Sequence, residues 1–177
     1  MLLLKSDTIF LRALEPTDLD FLYHLENNPD VWEISGTTTP YSKFVLKQYL
    51  ENSHRDIYEV KQLRLGICNL QEELLGLVDL FDFDPKNNRV GLGIIVLNSK
   101  DRNKGVGRQV INLICNYAYK VLDVKQLYAN VLEENEMSLH LFKKMGFREV
   151  GVKRDWIYFD GQYKNEVLLQ KIKDNVH

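Results

Sequence analysis

The hydrophobic period of this chain changes near residue 98, and that change limits the folds open to it. Before it, Leu63–Asn69, Leu74–Phe83 and Arg89–Leu97 read as three strands of an antiparallel meander. A polar turn at Leu70–Glu73 and the cluster Asp84-Pro-Lys-Asn-Asn88 separate them. After it, from Gly105 to Val121, Val106, Val110, Leu113, Ile114, Tyr117 and Val121 recur at helical spacing on one face. Asn112, Asn116 and Lys120 fall largely on the others. A meander feeding a long amphipathic helix requires a sheet with at least one helical layer against it.

The flanks extend the pattern. Thr8–Ala13 alternates and reads as a strand, and Pro16 and Asp18 open a helix with Leu19, Leu22 and Leu25 on one side. Asn27-Asn28-Pro29-Asp30 reads as a stop, residues 30–41 as a loop, and Ser42 as the N-cap of a second helix running to about Asn52. Downstream, Gln126–Leu132 reads as a strand, and Glu136–Met145 as a short helix ended by Gly146. Phe147–Arg154 and Tyr163–Lys171 read as strands, the second entered through an Asp160-Gly161 hairpin turn. The expected fold is α+β or mixed α/β, with helices on both faces of one sheet. No linker or repeat divides the 177 residues, so a single domain spanning 1–177 is expected.

Composition narrows the function classes. The formal net charge is −2, so the whole molecule has no pull toward nucleic acid or an anionic membrane. Nothing approaches the roughly 18 apolar residues of a membrane span, and the four-residue apolar start is shorter than a secretory leader needs. A cytoplasmic location is the expectation. Cys68 and Cys115 each sit in an apolar run with no CxxC or nearby histidine, and read as reduced core residues, with no metal site.

Chemistry concentrates where the period changes. Asn98-Ser-Lys-Asp-Arg102-Asn-Lys-Gly105-Val-Gly107-Arg108 leaves a strand and opens the long helix, with a net excess of three positive charges. Helix N-termini present N–H groups without internal partners, and glycine lets an anion approach the backbone. A pyrophosphate suits such a loop. The P-loop pattern is absent, and the dinucleotide pattern fails at Val110, which stands where its third glycine belongs.

Arg102-Asn-Lys-Gly105-Val-Gly107 resembles the Gln/Arg-x-x-Gly-x-Gly/Ala signature of GNAT acetyltransferases. A second stretch, Asn135-Glu-Met-Ser138-Leu-His-Leu-Phe142-Lys-Lys144-Met-Gly146-Phe147, resembles that family's Asn-x-x-Ala/Ser-x-x-x-Tyr/Phe-x-Lys/Arg-x-Gly-Phe segment. The element order follows the family over nearly the whole chain. The Asp160–Tyr163 turn resembles the branch containing ribosomal-protein and spermidine N-acetyltransferases.

The resemblance implies a GNAT fold: a twisted, mostly antiparallel sheet of six to seven strands, about four helices, and a fourth strand that carries a bulge and splays from the fifth. It implies acetyl-CoA as co-substrate, with no metal, and direct transfer of the acetyl group to a primary amine. The amides of Arg102, Asn103, Lys104, Gly105, Val106, Gly107 and Arg108 would hold the pyrophosphate, and the backbone of Ile95, Val96 and Leu97 the pantetheine arm. Gly91 and Gly93 suit an irregular strand there. Asn135 would bond the arm while also capping its helix, and Lys144 would approach the ribose-phosphate end.

Direct attack needs a neutral amine, hence a proton acceptor, and often a donor to the departing thiolate. The family's donor tyrosine is replaced by Phe142, which leaves Tyr128 on the neighbouring strand as the substitute candidate. Glu33 and Asp79 are the candidate bases, and Trp32 and Glu33 the candidate acceptor contacts. His140, alone in an amphipathic helix, reads as structural. The implied acceptor is a small amine, polyamine or protein N-terminus, and relatives of this kind are often homodimers. Since Asp30 and Glu33 are the only acids in 30–41, that segment is less acidic than a polycation would favour. Phe142 also motivates an alternative, a catalytically silent acyl-CoA-binding sensor.

Overall fold

The computed structural model describes residues 3–97 and 105–174. Seven strands form one sheet in the order β1-β2-β3-β4-β5-β7-β6. They are β1 (Ile9–Ala13), β2 (Leu63–Asn69), β3 (Leu74–Asp84), β4 (Arg89–Val96), β5 (Gln126–Leu132), β6 (Arg148–Phe159) and β7 (Gln162–Ile172). Every neighbouring pair is antiparallel except β4–β5. Six α-helices are described: α1 (Leu19–Glu26), α2 (Pro29–Ser35), α3 (Lys43–Glu51), α4 (Ile57–Val60), α5 (Val106–Lys120) and α6 (Glu136–Lys144).

The meander and the long helix fall where the change of period puts them. The main departure is α2, which occupies residues expected as loop. Asn28 and Pro29, read as a stop, end α1 and at once begin the next helix. The Asn28 side chain accepts from Asp30 N at 3.0 Å, Pro29 takes the first helical position, and Gly36 closes the helix at φ 69°. The one-turn α4, capped by Asp56, was also not expected and raises the count above four. Strands β6 and β7 run longer than the alternating pattern suggested, because β6 absorbs three residues opposite one between Lys153 and Ile157.

Alternation sorts the side chains into two cores. On one face Val90, Leu92 and Val96 of β4 and Leu127, Ala129 and Val131 of β5 pack with Val110, Ile111 and Ile114 of α5 and Phe142 of α6. On the other, Leu77 of β3 packs with Leu22 and Leu25 of α1 and Leu46 and Leu50 of α3. Each fully buried aliphatic side chain contributes about 1.5–3 kcal/mol. Cys68 and Cys115 are buried free thiols.

Candidate active site

Strands β4 and β5 pair over only three rungs, Arg89↔Gln126, Val90↔Leu127 and Gly91↔Tyr128. Beyond Gly91, β4 stays on β3 up to Gly76↔Val96, while β5 stays on β7 up to Leu132↔Glu166. The two therefore diverge, and an extended chain has room to lie between them. The splay expected from the resemblance is present, but the bulge is not on β4. Register from Gly76↔Val96 to Phe81↔Gly91 is unbroken, and the irregularity lies in β3, where Asp82 takes φ 47° opposite Val90. Gly91 has a steric task instead: a Cβ there would come within 2.3 Å of Phe81, whose ring crosses it to meet Tyr128 edge-on at 5.8 Å.

The N-terminus of α5 stands beside this opening. Side chains of Asn28, Ser42, Asp56 and Asn135 cap α2, α3, α4 and α6, whereas α5, like α1, has no side-chain cap among the described residues and starts at Gly105 with φ 75°. Its first internal bond runs from Gln109 N to Gly105 O at 3.2 Å, so the amides of Val106, Gly107 and Arg108 precede the ladder. The Val106 side chain is buried in the core, which pins this turn to the sheet. Gly107 also eases helix packing, since a Cβ there would lie 2.8 Å from the tip of the Leu141 side chain of α6. A groove of about 360 Å³ borders the turn, lined by Gly105, Arg108, Gln109, Asn112 and Met145. Arg102, Asn103 and Lys104 lie outside the described residues.

The remaining expected contacts divide. Ile95 and Leu97 pack toward α1 and α3, and Val96 toward α5. Asn135 caps α6 by accepting from Ser138 N at 3.2 Å. Lys144 is exposed in the last turn of α6, and His140 is exposed on the same helix. Phe142 is buried and meets Phe147 edge-on at 5.1 Å, so apolar packing fills the place of the family's tyrosine. Tyr128 sits at the closed end of the splay under Phe81, away from the divergent strand ends. Burial pushes its phenol pKa up, so it stays protonated at neutral pH.

Both candidate bases are held in ion networks. Asp79 accepts from Arg64 through both oxygens, at 2.7 and 3.1 Å, and Arg64 also donates to Glu26 at 2.7 Å. Burial alone would lower the Arg64 pKa, yet the facing carboxylates raise it well above the ordinary guanidinium value. Both Asp79 oxygens thus accept from one guanidinium, a bidentate pairing. Glu33, on α2, pairs with Lys164 of β7, which also bonds Glu134 at 2.5 Å. Glu134 follows β5 immediately before Asn135, so this network stands at the open end of the splay. The Trp32 indole N–H donates to the Glu26 carbonyl at 2.7 Å and ties α2 to the end of α1.

Arg64, Glu26 and Lys164 were not among the sequence candidates. A charged residue inside the otherwise apolar strand Leu63–Cys68 was the available signal for Arg64; its partners become visible only through register. Among the described residues, no group of three or more His, Cys, Asp or Glu is arranged to hold a metal ion, and no helix is long and apolar enough to cross a membrane.

The sequence profile of the acetyltransferase (GNAT) domain matches residues 8–148. The chain is 30% identical over 160 residues to the spermidine N(1)-acetyltransferase of Vibrio cholerae, with 90% of each covered. It is 29% identical over 165 residues to the spermidine N(1)-acetyltransferase of Escherichia coli K12, covering 93% of this chain and 86% of the relative. The crystal structure of spermidine N-acetyltransferase from Vibrio cholerae in complex with CoA and spermine superposes with a TM-score of 0.83 at 28% identity. That match covers 94% of this chain and 96% of the other.

Proposed function

This chain belongs to the GNAT acetyltransferase family, and from that premise we propose that it transfers an acetyl group from acetyl-CoA to a primary amine of a small aliphatic polyamine. The observation that carries the reading is the divergence of β4 and β5 beyond Gly91, beside an α5 N-terminus that has no side-chain cap among the described residues. Residues 1–177 act as one catalytic domain. Acetyl-CoA supplies the activated acyl group. The amides of Gly105–Arg108 face its phosphates, Arg108 and the adjoining groove take the nucleotide end, and the β4 backbone at Ile95–Leu97 aligns the arm.

The chain itself manages the proton. An alkylammonium has no lone pair, so the acceptor must lose a proton before attack. We assign that proton to Glu33. One of its oxygens is buried and forms an ion pair with Lys164. The thiolate leaves without a side-chain donor, as a thiol pKa near 8.5 permits. In this reading the Tyr128 hydroxyl and Phe142 are packing groups. The polyamine acceptor is supported by the spermidine acetyltransferases among the relatives.

The test is thiol release from acetyl-CoA with spermidine, butylamine and a peptide carrying a free N-terminus. Expected is turnover of spermidine. A Gly105→Glu variant, which sets a negative charge and a strained φ at the helix start, should raise the acetyl-CoA KM by tenfold or more, about 1.4 kcal/mol. Binding of acetyl-CoA without turnover of any amine would overturn the reading in favour of a silent sensor.

A further inference from the structure

A cavity of about 240 Å³ lies between α1, α2, α3 and the start of β2, and the proton path above does not use it. Glu26, Tyr41, Tyr49, Gln62 and Arg64 are on its wall. The side chains of Glu26, Asp79 and Arg64 are only 10%, 16% and 20% exposed, so their charges are poorly shared with water. Two carboxylates face one guanidinium, leaving the cluster one negative charge in excess. Buried excess charge is costly unless a counter-ion meets it.

The described residues supply no such counter-ion. Among them only Arg64 pairs with Glu26, through a single carboxylate oxygen. Burial pushes the Tyr49 pKa up, so its phenol stays neutral. The rim is nonetheless fixed: Asn27 exchanges two hydrogen bonds with the backbone of Tyr41, a residue of the cavity wall, at 2.8 and 3.0 Å.

We propose that this cavity receives a second ammonium group of the acceptor, with Glu26 as its counter-ion; the inference rests on the acetyltransferase reading above. Register sets the spacing. Arg64 pairs with Asp79, and Asp79 with Gly93 of β4, so the cavity stands two strands from the splay. Two inter-strand steps amount to about 10 Å. The acceptor therefore carries a second cationic centre about that far from its reacting nitrogen, as an extended linear polyamine does. A monoamine leaves the excess charge of the cluster unmatched. Helix α2 holds both ends of this path: Trp32 is bonded to the Glu26 backbone, and the next residue, Glu33, faces Lys164.

The experiment compares spermidine with butylamine in steady-state acetylation by wild type, Glu26→Gln and Gln62→Lys, with a thermal melt of each. Gln62 is exposed on the cavity wall, so a lysine there supplies the missing positive charge with little cost to folding. Wild type should prefer spermidine. Both variants should lose about tenfold or more of that preference, through a raised KM for spermidine. A Glu26→Gln variant that melts lower yet keeps the wild-type preference assigns Glu26 a structural role and overturns the inference. If Glu26→Gln does not fold, Gln62→Lys decides alone, and an unchanged preference there overturns it equally. Wild-type protein that acetylates neither amine defeats the parent reading, and this inference with it.

Discussion

Glu33 concentrates what single residues do here. It stands on a helix that the sequence disguises as a loop, and it pairs with Lys164 from the far end of the chain, in a network that also holds Glu134 just after β5. If it takes the acceptor's proton, its removal has a pH signature. Glu33→Gln should lower kcat/KM for spermidine about 100-fold near pH 7, within the usual range for a lost general base. The deficit should shrink as pH rises toward the amine's own pKa, because free neutral amine then needs no base. A constant deficit across pH would assign Glu33 to binding alone. At the same scale, Phe142 shows how a family position changes chemistry without disturbing structure. Its ring packs on Phe147 in the core, and no hydroxyl is left there to satisfy.

Elements are fastened by a few polar contacts at their ends. The entry from β1 into α1 turns on Arg12 and Asp18. Arg12 donates to both Asp18 oxygens at 2.8 and 2.9 Å, and Glu15 N adds a third bond at 2.7 Å. Burial works against ionisation of Asp18, but the hydrogen bonds from Arg12 and Glu15 outweigh it and hold the carboxyl below the usual range. A depressed folded-state pKa contributes stability that is present above the unfolded value, near 3.9, and is lost as pH falls through the folded value. Asp18→Asn should therefore cost about 1.5–3 kcal/mol at pH 7. Denaturant titrations should show the gap to wild type closing as pH drops below about 4. A gap unchanged at low pH would mean that the loss is one of packing. Helix α2 is hidden in the sequence by its own start signal. Asn-Pro ends one helix and starts another with equal ease, and only the Gly36 cap seven residues later distinguishes the two.

In the whole molecule, two half-sheets meet at a three-rung seam. Strands β1–β4 carry α1 and α3, β5–β7 complete the sheet, and α5 and α6 pack across the join on the other face. Opening the seam creates the site, so the seam must hold at its closed end. Phe81, lying over Gly91 against Tyr128, is one side-chain contact that crosses it. Gly91→Val should overpack this point and cost about 1–3 kcal/mol. At roughly 2–4 °C per kcal/mol for a chain of this size, the melting temperature should fall by several degrees. An unchanged melting temperature would show that Phe81 can swing aside. Local chemistry wrote much of this into the sequence. The strand and helix periods, the Ser42 and Asn135 caps and the uncapped glycine start of α5 depend on neighbours within a few residues, so residue order alone determines them. The sequence also carried the two motifs that identify the family. Only the tertiary structure decided the charge pattern. Glu26, Arg64 and Asp79 are separated by 38 and 15 residues, and Lys164 lies far beyond Glu33. No local period can pair them. Strand register and the seating of α2 bring them together, and burial then turns a set of surface-type residues into one excess negative charge beside the site.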